Sequence, residues 1–345
     1  MLVCVTGGTG FVGAHSVAAV LRAGCRVRLL VRDPAAVERS LVPLGVDPAG
    51  LELVVGDVTD EGAVAEAVEG AEVVLHAASV YSFDSRRRSE LRRTNVRGTE
   101  LVLAAGRASG ARRVIHVSSV GALFPAAGPA IRTDSPVGRP REAYLATKAA
   151  AEQVARRHQQ EGAPVVISYP PALLGPDDPY LGDQNTRLRN ELRGLMPLWP
   201  GGGLPLGDVR DTAALHAALV TGTAGPATRH FGPQHFLTTR RYVETVREVT
   251  GRQLPAMYLP ARAMLPFGLL TGVVQQVWPW HIPAEYGAVY TCAVAAPAEG
   301  GDEHGIAARP LAETMADTIA WLHARGRLSR AQAGRAADRP TAVRG

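Results

Sequence analysis

A single lysine stands among the 37 basic residues of this 345-residue chain: Lys148, four positions after Tyr144. On a helix that spacing sets both side chains on one face, roughly 5–6 Å apart at Cβ. A fixed ammonium beside a phenol favours the phenolate and lowers its pKa from about 10. A compact ammonium has three donors and can hold a hydroxyl while it polarises the phenol, which a planar guanidinium is poorly shaped to do. The pair suits proton transfer to or from a reacting oxygen. By itself the spacing arises often by chance, so the rest of the chain decides its meaning.

The run Thr6-Gly7-Gly8-Thr9-Gly10-Phe11-Val12-Gly13 follows an apolar stretch, Leu2 to Thr6, and opens a helical pattern from Phe11 to Ala23. Gly7 permits a tight turn, Gly10 admits a pyrophosphate to the backbone, and Gly13 allows close helix–strand packing. The helix N-terminus then stabilises phosphate charge. The spacing is G-x-x-G-x-x-G, and in this strand–turn–helix setting it predicts dinucleotide binding. The second strand, Arg26 to Val31, ends on Arg32-Asp33. An Arg there accommodates a 2′-phosphate, whereas an acidic residue pairs with ribose hydroxyls. Arg32 comes first, which favours NADP over NAD, with Asp33 on the ribose as the alternative. Asp57 closes the third strand, placed either to meet the adenine or to cap a helix ahead of Glu61.

These groups need a frame. Further apolar strands are read at 51–55, 73–77, 113–117 and 164–169, with helices at 90–109 and from Tyr144 to about Glu161. The alternation predicts an α/β fold, a Rossmann-type doubly wound parallel sheet with a smaller C-terminal substrate-binding region. Residues 1–169 form the dinucleotide domain, to which 207–237 return; 170–206 and 238–325 form the substrate region. The stretch 170–206 is rich in Pro and Gly, with one basic amphipathic segment from Thr186 to Leu195. A helix is expected from Asp211, with that residue as its N-cap. The tail 326–345, with five Arg and one Asp, is expected to be disordered.

The formal charge is +5, and most of it sits in that tail, so nucleic-acid binding is not indicated. The apolar stretch from Leu259 to Trp280 is interrupted by Arg262, Pro266, Gln275, Gln276 and Pro279, which argues against membrane insertion. Cys4, Cys25 and Cys292 suit neither a disulfide framework nor a metal, and with no signal-type start the expected location is cytoplasmic. His230 and His235 flank Gly232-Pro233 and lack further ligands, so no metal site is expected. Arg86-Arg87-Arg88 with Arg92-Arg93 reads as a solvated helix start, or else as a site for an anionic substrate group.

The order of motifs resembles the extended short-chain dehydrogenases/reductases of the NAD-dependent epimerase/dehydratase superfamily. It runs from the glycine turn through Gly56-Asp57-Val58, His76-Ala77-Ala78, Asn95-Val96-Arg97-Gly98-Thr99 and Ser118-Ser119 to Tyr144 and Lys148. Tyr169-Pro170-Pro171, Asp208-Val209-Arg210-Asp211 and Arg309-Pro310-Leu311 extend it to about residue 325. The segment Val27 to Pro34 is similar to the dihydroflavonol-reductase-like branch, with the 3β-hydroxysteroid dehydrogenase branch close by.

The resemblance implies Tyr144 as general acid in reduction and base in oxidation. Lys148 would hold the nicotinamide ribose and depress the Tyr144 pKa. Ser119, or its neighbour Ser118, would bond the substrate carbonyl, and Asn95 would support a proton relay or the local backbone. It implies a dinucleotide lying against Thr6, Gly7, Thr9, Gly10, Phe11, Val12, Gly13, Arg32, Asp57, Val58, Ala77, Lys148 and Pro170. The expected activity is NADPH-dependent reduction of a ketone or aldehyde on a small, largely apolar metabolite, with a homodimer as the family-level expectation. The alternatives are a nucleotide-sugar epimerase with retained NAD and an NAD-linked hydroxysteroid-type dehydrogenase. Val120-Gly121-Ala122 after Ser119 lacks the acidic pair of sugar dehydratases.

Overall fold

The computed structural model describes residues 1–82, 85–265 and 286–340. Strands β1 (Leu2–Thr6), β2 (Arg26–Val31), β3 (Glu52–Val55), β4 (Val73–His76), β5 (Arg113–Val117) and β6 (Val165–Tyr169) run parallel in one sheet. The chain then leaves it for β7 (Ala172–Leu174), β8 (Leu198–Gly201) and β9 (Gly203–Asp208). It returns as β10 (Arg229–Phe231), the seventh parallel strand, and continues through β11 (His235–Thr238) and β12 (Met257–Pro260). The order across the sheet is β3-β2-β1-β4-β5-β6-β10. Chain direction across the sheet therefore reverses between β1 and β4. The carboxyl ends of those strands leave a crevice there, where open α/β sheets bind ligands.

Both faces of the sheet are covered, which explains strands such as Val73–His76 and Val165–Tyr169 that are buried throughout. On one face α3 (Glu61–Val68), α5 (Gly98–Ala108) and α6 (Ala143–Gln160) contribute Val64, Val102 and Val154 to a core with Val114 and Ile167. On the other, α1 (Phe11–Arg22) and α8 (Val209–Thr221) contribute Val17, Leu215 and Leu219 to a core with Val5 and Leu29. A hydrogen-bonded column ties that face together. His216 of α8 meets Ser16 of α1 at 2.7 Å and Ser168 of β6 at 3.1 Å.

The Pro- and Gly-rich stretch 170–206 holds more regular structure than its composition suggests, namely β7, β8, β9 and α7 (Asp183–Leu192). Its core is a third cluster in which Trp199 and Tyr242 pack at 5.5 Å between ring centres. Helices α9 (Thr239–Thr250) and α11 (Leu311–Ala324) contribute to it, while α10 (Tyr286–Val294) places Val289 and Cys292 in a separate small cluster with Ala261.

Three expectations are corrected. Asp208, not Asp211, caps α8, because β9 runs into the helix without a loop; its carboxylate accepts from Arg210 N at 2.8 Å. Asp211 lies inside the helix and accepts from Arg309 N and Nε at 2.7 and 3.1 Å. The tail from Gly326 is folded through Pro340. Ser329 caps the short helix α12 (Arg330–Ala333), and Leu328, Ala333 and Ala336 are buried in the third cluster. Alanines spaced among the arginines supply the apolar face, while Arg339 pairs with Asp317 at 3.2 Å. Asp60, not Asp57, caps α3 through Gly62 N and Ala63 N. Most of the stretch from Leu259 to Trp280 lies outside the described residues, among which no helix is long and apolar enough to cross a membrane.

Candidate active site

The turn between β1 and α1 is shaped by two glycines for internal reasons. Gly7 has φ +73°, and a Cβ on it would stand 2.5 Å from Ala78 N. A Cβ on Gly13 would overlap the Gly7 carbonyl. Gly10 differs. Its backbone is extended, its N–H reaches Gly7 O at 3.0 Å, and a Cβ would meet only Gly7 O at 3.4 Å. A side chain there would find room within the protein, and the absence of one keeps the backbone open to an approaching group. The first turn of α1 carries no side-chain cap and no acidic residue, which leaves its N–H groups unclaimed by carboxylate. That cradle and donor set fit a dinucleotide pyrophosphate.

Thr6 points inward. Its hydroxyl donates to His76 Nδ1 at 2.7 Å; His76 Nε2 meets Thr99 Oγ1 at 3.0 Å, and Thr99 Oγ1 donates to Asn95 O at 2.7 Å. Since Thr99 spends its hydrogen on Asn95, His76 carries its proton on Nε2. Burial, followed by the Lys148 charge, lowers His76 to about 3, so the ring is neutral. One chain thus connects the glycine turn, the end of β4 and the segment bearing Asn95.

Asn95 lies on a π turn, Arg93–Arg97, joining α4 (Arg88–Arg92) to α5. Its Oδ1 accepts from Val80 N at 2.7 Å and Ser79 Oγ at 3.1 Å. Its Nδ2 donates to Val80 O and to Thr147 Oγ1, each at 3.0 Å. Both its donors and both its acceptor sites are used. The side chain therefore fixes the backbone at 79–80 and spares nothing for a proton.

Ser119 follows β5 and accepts from Gly121 N at 3.1 Å, which leaves its hydroxyl hydrogen to donate. Ser118 beside it is buried, with an Oγ that has no partner among the described residues. Glu142 caps α6 by accepting from Tyr144 N and Leu145 N at 2.9 and 2.8 Å, and so places Tyr144 in the first turn. One turn on, Lys148 Nζ donates to Val117 O at 3.3 Å. The Tyr81 ring packs edge-on against Tyr144, 4.5 Å between centres.

The charge balance differs from the expectation that Lys148 depresses the phenol. Burial, then the negative charges of Glu142 and Asp183, push Tyr144 above its ordinary value. Burial lowers Lys148 to about 8, so it remains an ammonium at neutral pH. The protein's own groups therefore hold Tyr144 as a phenol.

A cleft of about 340 Å³ collects Gly7, Gly10, Phe11, Val12, Gly13, Ala77, Ser119, Tyr144, Lys148 and Pro170. Thr6, Thr9, Arg32, Asp57, Val58 and Asn95 lie outside its lining. Val58 is buried against Gly98, and the Thr9 carbonyl is held by Ser40 at 2.8 Å. At the end of β2 the Arg32 side chain is 70% exposed, with Nη1 3.8 Å from Asp57 Oδ2. Asp57 Oδ1 is taken by Thr59 N and Oγ1, and Asp33 Oδ1 accepts from Ala35 N at 3.0 Å.

Part of the cleft lining was not expected from the sequence: Tyr81; Asp183 and Arg187 of α7; and Thr291 and Cys292 of α10. The basic amphipathic pattern pointed to a helix there but gave no sign of what it faces. None of Arg86, Arg87, Arg88, Arg92 and Arg93 lines the cleft, and Arg87 pairs with Glu90 at 2.7 Å.

The model of the NAD dependent epimerase/dehydratase family matches residues 3–231. A Synechocystis sp. protein named putative dihydroflavonol 4-reductase is 38% identical over 216 residues, which span 61% of this chain and 61% of that protein. The 4-hydroxy-2-methyl-3-oxo-4-farnesyl-3,4-dihydroquinoline-1-oxide ketoreductase of Stigmatella aurantiaca is 32% identical over 249 residues, 70% of this chain and 69% of its own. Among solved structures, the crystal structure of gox2253 superposes with a TM-score of 0.76 at 28% identity, covering 95% of this chain and 99% of that one.

Proposed function

The chain belongs to the NAD dependent epimerase/dehydratase family and is an NAD(P)-dependent oxidoreductase, and from that premise we propose that it uses NADPH to reduce a ketone or aldehyde on a small, largely apolar metabolite. The observation that carries this reading is the convergence of a protonated Tyr144, a donating Ser119 and a charged Lys148 on one cleft beside the glycine turn.

Bound NADPH supplies the hydride. The turn from Gly7 to Gly13 would hold the pyrophosphate, and Lys148 would hold the nicotinamide ribose. Ser119 donates to the carbonyl oxygen and orients it. As negative charge builds on that oxygen, Tyr144 gives it the phenolic proton, and the nearby Lys148 ammonium stabilises the phenolate that remains. Asn95 acts as a positioning residue that holds the 79–80 wall.

The preference for NADPH rests on Arg32. It stands exposed at the end of β2 with one long contact to Asp57, while one Asp33 oxygen is spent on Ala35 N. A guanidinium there is available to a 2′-phosphate. The ketoreductase and dihydroflavonol reductase names of the two relatives agree with reduction of a carbonyl.

The test is to incubate purified protein with NADPH and a panel of ketones and aldehydes and to follow the cofactor's absorbance. Substrate-dependent loss is expected. Inertness towards every carbonyl, with NAD retained through purification, would replace this reading with that of an epimerase.

A further inference from the structure

Beyond the catalytic pair the cleft is also lined by a cation. Arg187 lines it in the company of Tyr144 and Asp183. Among the described residues its guanidinium makes no ion pair, and its neighbours are Cys292, Tyr242, Tyr81 and Asp183. Cys292 is its hydrogen-bonding neighbour; burial pushes that thiol up, so the sulfur stays neutral and is a weak acceptor. Two carboxylates stand at helical spacing from it, and neither pairs with it directly; Asp183 acts on it through its charge. Asp183, four residues earlier, takes the hydrogen bond of the Tyr81 hydroxyl. Glu191, four residues later, is buried with no hydrogen-bond partner among the described residues, and burial raises it to about 8.

Arg187 is half-buried, and its guanidinium keeps its charge at any working pH. The cleft lining is largely apolar and includes Leu173, Leu204 and Pro205, with Asp178, Gln184 and Asn185 among its polar members. Its planar fork of donors matches a group that offers two oxygens in a plane.

We propose that Arg187 selects substrates: the carbonyl compound that reacts at Tyr144 carries a carboxylate on the end away from the reacting carbon, and Arg187 holds it. This rests on the reductase reading above. The apolar wall accepts the hydrocarbon between the two polar ends, and Tyr81 separates them.

The experiment compares straight-chain methyl ketones bearing a terminal carboxylate, over a series of chain lengths, with their methyl esters at saturating NADPH. In the wild type at least one acid is expected to exceed its ester about tenfold in kcat/KM. Arg187→Met is expected to raise the KM of that acid about 10–100-fold and the KM of its ester far less, so that the preference for the acid is lost. Arg187→Lys should recover part of the loss. Equal handling of acids and esters by the wild type overturns the inference. Equal loss on both substrates in Arg187→Met, with an unchanged melting temperature, also overturns it. Failure of the reductase reading looks different, because neither series then consumes NADPH. In that case calorimetric binding of the acids and esters to NADP-saturated protein still decides whether Arg187 prefers a carboxylate.

Discussion

The dinucleotide end of the cleft is built mainly from backbone supplied by one short run, Gly7 to Gly13, whereas the part beside α7 is built from side chains at Tyr81, Asp183, Arg187 and Cys292. Backbone donors at a helix N-terminus bind phosphate whatever surrounds them, provided that glycines keep the approach open. Side-chain walls instead depend on three distant segments meeting correctly. The first kind of site tolerates little change at a few positions; the second can be altered residue by residue while the fold persists. Tyr144 and Lys148 stand where the two meet.

The sharpest way to separate that junction from its flanks is Tyr144→Phe. Turnover is expected to fall about 10²–10⁴-fold, with NADPH affinity nearly unchanged, as read by steady-state kinetics and calorimetry. Retention of full activity would remove the tyrosine from the chemistry.

Next in size is a contrast within the glycine turn. Gly10→Ala is expected to leave the melting temperature almost unchanged, because its Cβ meets only Gly7 O at 3.4 Å, yet to weaken NADPH binding about 100-fold. Gly13→Ala instead forces Cβ into the Gly7 carbonyl and should cost about 1–3 kcal/mol of stability in a urea melt. Matching behaviour in the two variants would show that Gly10 is needed for the fold and not for a ligand.

A smaller effect is expected at the rim. Arg32→Ala should weaken NADPH about tenfold and NADH hardly at all, the scale of one charge-assisted contact at an exposed position. Equal losses for both would refute the 2′-phosphate role.

Acid should act on the dinucleotide end. His15, His76 and His216 are lowered to about 4, 3 and 4, chiefly by burial, against about 6.5 in an unfolded chain. Below about 6.5 the unfolded chain binds protons that the folded one refuses. Stability is therefore whole above that pH and falls as pH drops towards 4, by up to about 1.4 kcal/mol per unit for each ring. Urea melts at a series of pH values check the slope, and a flat profile would contradict the neutral buried assignment.

This difference between the two parts also explains what could be read from residues alone. The glycine turn, the sheet and the Tyr144–Lys148 pair are local patterns, in which neighbours in the chain are neighbours in the site. Arg187 was visible only as one of many arginines, since nothing local says that its helix faces Cys292 across a cleft. The tail misled for a related reason. Its alanines and arginines look like a solvated segment until Leu328, Ala333 and Ala336 find the third core. Asp208 took the cap expected of Asp211 because strand and helix abut, a boundary that propensity does not locate.

The most direct measurement is a calorimetric titration of the purified protein with NADPH and with NADH, after checking for nucleotide that co-purifies. A site free of nucleotide on purification that binds NADPH at least about tenfold more tightly than NADH is the expected result. Tightly retained NAD, or equal affinity for the two, would contradict an NADPH-dependent reductase.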